Sequence, residues 1–186
     1  MAPEAASSLQ GVRERERLLT ELNDYFETGQ NSDRLSGRHC AAAIRSHIMA
    51  GVIFYPPTIK ELISTGRLVL IRDAKLRASI LSFDQANEMM TQLRTDLQID
   101  RLLLIRNHPD LIAAGLSNWD ESVCAIDQMT SDQQFLNDFA DNRRRFGAYV
   151  RDVEAAQVEL IETLRDQVTA SLDNALGDRK SDTTVE

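Results

Sequence analysis

The sequence predicts an all-α protein, an elongated antiparallel four-helix-type bundle with two long helices and a short helical corner. Only 8 Gly and 4 Pro occur among the 186 residues, so long stretches contain no helix breaker. Apolar residues recur every three or four positions along much of the chain, which is the period of one helix face. With 42% hydrophobic and 27% charged residues, the composition is that of a folded domain despite a net charge of -8.

The first helix is predicted from Leu9 to Glu27, because its apolar residues form a single stripe. The residues of that stripe are Leu9, Val12, Leu19, Leu22 and Phe26. Residues 1–8 are small and polar and are predicted to be a disordered leader. A single helical bundle domain is expected over residues 9–177, followed by a charged, disordered tail over residues 178–186.

A second helix is predicted to begin at Ser32 or Asp33, either of which is a candidate N-cap, and to reach Phe54. The Pro56-Pro57 pair disfavours helical geometry in the residues before it and therefore ends this helix.

The short corner is predicted between the second and third helices. Its structural motif consists of Pro57, Leu62, Gly66, Leu70, Ile71, Asp73, Leu76 and Arg77. Pro57 would open a helix, and Gly66 would end it in a left-handed conformation. Leu70 and Ile71 are predicted to lie in a buried, extended link that closes one end of the bundle. Asp73 would cap the next helix, with Arg77 near enough to pair with it.

Two long helices complete the predicted fold. The third is expected over residues 73–106 and the last over residues 131–176, with Gly177 as its C-cap. Each is too long to be buried by a short neighbour, so they are predicted to pack together. Between them, the chain should reverse over residues 107–119. The residues expected to cap the bundle end at this reversal are Leu111, Ile112 and Leu116.

We find no catalytic, cofactor-binding or metal-binding pattern in the sequence. His39 and His47 would share a face of the second helix, but no Glu-x-x-His spacing supplies further metal ligands. His39 and Cys40 are consecutive, so on a helix their side chains point about 100° apart and do not form a nucleophile and base pair. Cys40 and Cys124 are interpreted as two separate buried thiols. Glycine-rich phosphate loops are absent.

Charge and hydropathy disfavour two further classes. The excess of 29 Asp plus Glu over 21 Lys plus Arg argues against a nucleic-acid-binding protein, because phosphate binding depends on clustered positive charge. No apolar run reaches the ~18–20 residues of a transmembrane helix. The first residues also lack the apolar core of a signal peptide, so the chain as given is predicted to be soluble.

Residues 55–83, YPPTIKELISTGRLVLIRDAKLRASILSF, resemble the signature of an uncharacterised bacterial family of small inner-membrane proteins with a helical soluble domain. The matching positions are Thr58, Leu62, Gly66, Leu68, Leu70, Ile71, Asp73, Leu76 and Arg77. Thr65 stands where the family has another small residue. The family's single N-terminal transmembrane helix continues into a charged helix similar to residues 8–26, but that membrane helix is absent from this sequence. The resemblance implies a membrane-tethered domain in the periplasm and no reaction.

The leading hypothesis is therefore a non-enzymatic helical domain of a bacterial envelope protein, acting by protein interaction, self-association or sensing. Any membrane attachment would depend on the missing N-terminal helix. One alternative is a sensor that binds a small ligand in the bundle interior or at the face shared by His39 and His47. Another is a cytoplasmic helical adaptor, which two separate thiols would permit.

Overall fold

The computed structural model describes residues 2–49, 55–99 and 101–182, and 75% of the chain is helical with 2% in strands. The predicted all-α class is confirmed. The helices are α1 (Ala2–Thr28), α2 (Gly37–Ile44), α3 (Pro57–Ser64), α4 (Ala74–Leu97), α5 (Leu104–Asn107), α6 (Ile126–Met129), α7 (Gln133–Tyr149) and α8 (Ala156–Asp182). Two strands, β1 (Ile112–Ala113) and β2 (Val123–Cys124), pair in an antiparallel ribbon. Short 3-10 turns cover Ser32–Arg34, Arg67–Leu70 and Trp119–Glu121, and a π-helical turn covers Val150–Ala155.

The main core lies where α1 packs against α2, α7 and the π-helical turn. Leu19 and Leu22 of α1 are fully buried, as their place in the predicted stripe requires. Phe26 meets Phe139 of α7 edge to face, with ring centroids 5.2 Å apart. Burying a large apolar side chain contributes about 1.5–3 kcal/mol, and an aromatic pair of this geometry adds about 0.5–1.5 kcal/mol. This core therefore fixes the position of α2, which carries part of the candidate site.

A second, smaller core joins α3, α4 and α8. Its buried residues are Ile59, Ile80 and Phe83, and Leu160 and Leu164 of α8 pack against them. A hydrogen bond links Asp73, just before α4, to Ser171 in the second half of α8, whereas Phe83 farther along α4 packs near Leu160 and Leu164, so the two long helices run antiparallel. The predicted pairing of the long helices is confirmed.

The outer helix bounds differ from the prediction. Helix α1 begins at Ala2, before the predicted start at Leu9, because alanines and a proline in the first turn favour a helix. Helix α8 continues through Gly177 to Asp182, since a glycine inside a helix costs only about 1 kcal/mol.

The predicted second helix is shorter than expected at its start. Asn31 adopts a left-handed conformation with φ 66°, and a 3-10 turn follows it, so the chain is not yet α-helical at residues 32 and 33. The N-cap is instead Ser36, whose side chain and backbone form a capping box with His39. The prediction that this helix continues toward Phe54 is also wrong, because α2 ends at Ile44 and residues 45–49 form a turn and coil; residues 50–54 lie outside the described ranges.

Helix α4 ends at Leu97, well before the predicted end at Arg106. The buried side chain of Asn142 explains the early end. Its amide donates to the carbonyl oxygen of Leu102 at 2.8 Å and its carbonyl oxygen accepts the N–H of Leu102 at 3.4 Å. The backbone of this connection is therefore bound by a side chain of α7 instead of by helical hydrogen bonds.

The predicted last helix is one continuous helical segment made of α7, the π-helical turn and α8. Its apolar stripe is buried as far as Val153, and Leu160 and Leu164 are partly buried. Farther along, Val168 is 38% exposed and Leu172 is 59% exposed. The inner face was therefore predicted correctly for the first part of this segment only.

Candidate protein-binding surface

The two cysteines form a disulfide, so the interpretation of Cys40 and Cys124 as separate thiols is wrong. Cys40 lies in α2 and Cys124 in β2, with their Cα atoms 5.6 Å apart and a sequence separation of 84 residues. Helix α2 buries Cys40 against the main core, and the antiparallel ribbon brings Cys124 over it. Because the two residues meet only through the tertiary fold, their spacing in the sequence carried no signal of pairing.

The disulfide holds one end of residues 112–124, which we call the stapled loop. This loop overlaps the second half of the predicted chain reversal, residues 107–119, and is fixed by its own polar groups. The N–H of Gly115 donates to Ser122 Oγ at 3.0 Å. Asn118 Oδ1 accepts the N–H groups of Asp120 and Glu121 at 2.9 and 3.1 Å. The loop conformation is therefore set by local hydrogen bonds in addition to the covalent link.

A close approach of backbones fixes the stapled loop to α2. Gly37, the first residue of α2, lies directly against the carbonyl oxygen of Asp120. A Cβ atom at position 37 would overlap that oxygen, so only glycine allows the approach seen here.

The stapled loop exposes three large apolar side chains. Leu116 is 101% exposed, Val123 68% and Trp119 43%. The prediction that Leu116 caps the bundle end is therefore wrong, whereas Leu111 and Ile112 are buried as predicted. The ribbon accounts for the difference, because the chain leaves the core after β1 and carries Leu116 into the loop. Apolar side chains held at a fixed, exposed position are typical of protein interfaces.

A groove of about 460 Å³ runs beside the stapled loop, between it and the segment that leads from α1 into α2. Its apolar lining comes from the disulfide, Leu35, Val123 and Ile126. Asp120, Glu121 and Asp127 contribute carboxylates to the same groove. Tyr25 donates its hydroxyl hydrogen to Asp127 Oδ1 at 3.0 Å, and this bond, followed by desolvation, raises the pKa of the tyrosine.

Three residues of the predicted corner motif behave as expected. Pro57 is the first residue of α3, and Gly66 follows that helix in a left-handed conformation with φ 68°. Asp73 caps α4 by accepting the N–H groups of Lys75 at 2.8 Å and Leu76 at 3.2 Å. The hydrogen bond from the Leu76 N–H, followed by those from the Ser171 hydroxyl and the Lys75 N–H, lowers the pKa of Asp73. The corner is thus a helix end and a helix start joined by a fixed turn.

The link inside the corner differs from the prediction. It is a 3-10 turn instead of an extended segment, and Leu70 is 73% exposed rather than buried. Ile71 and Leu76 pack against the second core, and Leu62 is partly buried. Arg77 donates to the carbonyl oxygens of Ile71 and Arg72, so it satisfies the end of the turn instead of pairing with the Asp73 carboxylate.

The two histidines do not form the shared face that the sensor hypothesis requires. Helix α2 ends at Ile44, so His47 lies beyond it. His39 is buried, with Nε2 3.0 Å from Glu21 Oε2 and Nδ1 accepting the N–H of Ser36 at 3.1 Å. Burial lowers the pKa of His47 and favours its neutral form. Among the residues that the structure describes, no group of three or more His, Cys, Asp or Glu side chains is placed to hold a metal ion.

A buried polar pair lies at the π-helical turn. Tyr149 donates its hydroxyl hydrogen to Glu154, and both side chains are buried. Residues five apart lie on different sides of an α-helix, but the wider π turn aligns them. Burial and the bond to Glu154 raise the pKa of Tyr149. Because both groups are buried within the packed core, we interpret the pair as a structural contact that stabilises the π-helical turn.

The class of this protein is defined by its fold and its exposed surface. No family model, curated protein or solved structure matches this chain. Within the described ranges, no helix is both long enough and apolar enough to cross a membrane. The observations define an all-α, disulfide-bonded domain that exposes an apolar, conformationally fixed loop next to an acidic groove.

Proposed function

We propose that this chain is a non-enzymatic helical domain of a bacterial envelope protein that binds another protein through the stapled loop. The observation that carries the proposal is the exposure of Leu116, Trp119 and Val123 on a loop held by a disulfide and by its own hydrogen bonds. A fixed loop loses little conformational freedom on binding, so more of the contact energy is available for affinity. Tryptophan is also enriched among the residues that contribute most to protein interfaces.

The disulfide supports an oxidising compartment for this activity. Disulfides persist in secreted and periplasmic proteins and are rare in the bacterial cytoplasm. The resemblance of residues 55–83 to a family of inner-membrane proteins favours the periplasm for the same domain. We keep attachment through an N-terminal membrane helix as part of this proposal. The cytoplasmic adaptor is the weaker alternative, because Cys40 and Cys124 are paired.

The proposed architecture is an elongated four-helix-type bundle with the stapled loop at one end. Its supports are the packing of α1 against α7 and the antiparallel pairing of α4 with α8. In this arrangement the two cores hold the helices, and the residues that leave the bundle between α5 and α6 are available for recognition.

Site-specific photocrosslinking tests the proposal. A photoreactive residue at position 116 should capture one protein from a periplasmic extract, whereas the same residue at Met89, an exposed apolar position on α4, should not. The captured protein is then purified and titrated against the wild type, Trp119→Ser and Met89→Ser. Removing an interface tryptophan typically costs 2 kcal/mol or more, so Trp119→Ser should weaken binding by about thirtyfold while Met89→Ser changes it little. Equal affinity for all three proteins would refute the proposal.

The single tryptophan offers an independent readout. Trp119 is the only tryptophan in the chain, so its fluorescence reports on the stapled loop alone. Binding at the loop should shift its emission to shorter wavelength and protect it from a soluble quencher. A partner that binds tightly without changing this emission binds elsewhere.

A further inference from the structure

We infer that the partner presents a basic side chain, flanked by apolar ones, which enters the groove beside the stapled loop. This inference rests on the proposed function and adds the chemistry of the partner. It follows from the charge and the lining of the groove.

The groove carries negative charge without a positive counterpart in its lining. Asp120, Glu121 and Asp127 are exposed carboxylates, and no Lys, Arg or His occurs among the described residues that line the groove. Asp127 accepts from the Tyr25 hydroxyl, and Glu121 accepts from the Asn118 amide at 2.7 Å. Both donors are neutral, so these bonds leave the charges uncompensated.

Arg34 lies in one neighbouring depression, beside Glu21 and Asp24. Arg38 lies in a second neighbouring depression, which it shares with Asp120. Its guanidinium is bound by Glu14 at 2.8 Å, so it is already engaged by another carboxylate. Across the described chain, none of the three groove carboxylates takes part in an ion pair. A cation from outside would therefore meet three carboxylates without displacing a positively charged side chain of the protein.

The apolar lining favours a charged side chain of a protein over a free cation. Leu35, Ile126 and the disulfide provide apolar surface in the same groove as the carboxylates, and exposed Val123 of the stapled loop adds to it. Lysine and arginine bury their methylene stems on apolar surface and keep the charged end at the rim. Neighbouring apolar residues of the same segment would then cover Leu116 and Trp119. A free small amine would lack these contacts, which is why we commit to a protein segment.

Matched peptides provide the probe. Three twelve-residue peptides of equal length and equal leucine content carry arginine, serine or glutamate at the remaining positions. Trp119 emission and backbone amide NMR shifts are followed while each peptide is added to the full chain. The arginine peptide should bind at least about tenfold more tightly than the serine peptide, and the glutamate peptide should bind most weakly. Its shifts should map to residues 116–127, and its affinity should fall as salt screens the charges.

Isosteric variants separate the local charges from the net charge. The variant Asp120→Asn/Glu121→Gln/Asp127→Asn keeps the shape of the groove, and its binding of the arginine peptide should fall by about tenfold. The matched control is Glu88→Gln/Glu159→Gln/Glu162→Gln, which removes the same number of charges from exposed positions elsewhere and should bind almost as the wild type does. Equal losses in the two variants would show non-specific attraction and overturn the inference.

The remaining outcomes distinguish this inference from the proposed function. If the arginine and serine peptides bind equally and Trp119→Ser abolishes both, the loop is the binding surface but the partner needs no base. If no peptide binds at millimolar concentration, a short basic segment is not the ligand, and the crosslinking experiment still tests the loop. If 1,5-diaminopentane displaces the arginine peptide at a similar concentration, the groove takes a free amine instead of a protein segment. Each of these three results overturns the inference.

Discussion

Removing the disulfide should cost this domain much of its stability. The double variant Cys40→Ala/Cys124→Ala takes away the link without burying new hydroxyl groups. The sequence separation of 84 residues sets the size of the loop that the bond closes in the unfolded chain. The loop-closure relation then gives a stabilisation of about 4–5 kcal/mol at 25 °C, against a total of about 5–15 kcal/mol for a typical domain.

Urea unfolding followed by circular dichroism measures this loss. With a denaturant slope of about 2 kcal/mol per molar, the midpoint of the variant should lie about 2 M below that of the oxidised wild type. At about 2–4 °C per kcal/mol for a chain of this size, its Tm should fall by about 8–20 °C. A reducing agent should bring the wild type to the behaviour of the variant and leave the variant unchanged. Thiol titration of the unfolded, oxidised wild type should find no free cysteine.

A difference below about 1 kcal/mol between the oxidised wild type and the variant would refute this reasoning. In that case, either the bond does not form in solution, which the thiol titration would reveal, or the unfolded chain already keeps residues 40 and 124 close together. Equal denaturant slopes for the oxidised protein and the variant would identify the second case, because both unfolded chains would then expose the same surface.

Four further substitutions test the helices. Gly66→Ala should destabilise the domain by about 1–2 kcal/mol because alanine resists the left-handed conformation, whereas Gly11→Ala inside α1 should stabilise it by about 0.5–1 kcal/mol. A Cβ atom meets open space at both positions, so opposite signs in urea unfolding would isolate the backbone effect, and equal signs would contradict it. Tyr149→Phe should cost about 1–3 kcal/mol in the same assay, since buried Glu154 loses a donor. Asp73→Asn should lower the Tm at neutral pH but leave it unchanged near pH 2. A carboxylate with a lowered pKa stabilises the fold above its ordinary pKa and loses that contribution as acid protonates it. A difference in Tm that persists at pH 2 would show another cause.

Local signals predicted the parts of the fold that depend on a few neighbouring residues. Pro57, Gly66 and Asp73 each have a conformational or hydrogen-bonding preference that acts within one turn of chain, and the structure places all three as expected. The stripe of α1 was equally visible, because a regular period needs no knowledge of its partner.

Contacts between distant residues explain the errors. The early end of α4 depends on Asn142, which lies on α7 and binds the backbone of Leu102. Leu70 was assigned to the core by its apolar character, but the 3-10 turn after Gly66 directs it to solvent. Hydrophobicity alone does not specify which side of a turn a residue occupies.

The candidate surface was missed for a related reason. The segment GLSNWDES, residues 115–122, combines turn-forming residues with Leu116 and Trp119 and fits no amphipathic helix. That combination is a signal for an exposed apolar loop, but treating the reversal as a cap for the bundle assigned Leu116 to the interior. The pairing of Cys40 with Cys124 left no trace in local pattern, since only the packing of α2 beside the ribbon brings them together.

The π-helical turn lies between the parts of this helix that pack in the two cores, and it changes the direction in which the following side chains point. Residues advance by about 100° each in an α-helix and by about a fifth less in the wider turn. Over Val150–Ala155 this difference adds up to roughly the rotation of one residue, so the turn sets which side of α8 faces α1 and α4. A regular α-helix with the same number of residues at this point would rotate Leu160 and Leu164 by about one residue, away from Phe83. The geometry of this turn therefore keeps both halves of the molecule packed at once.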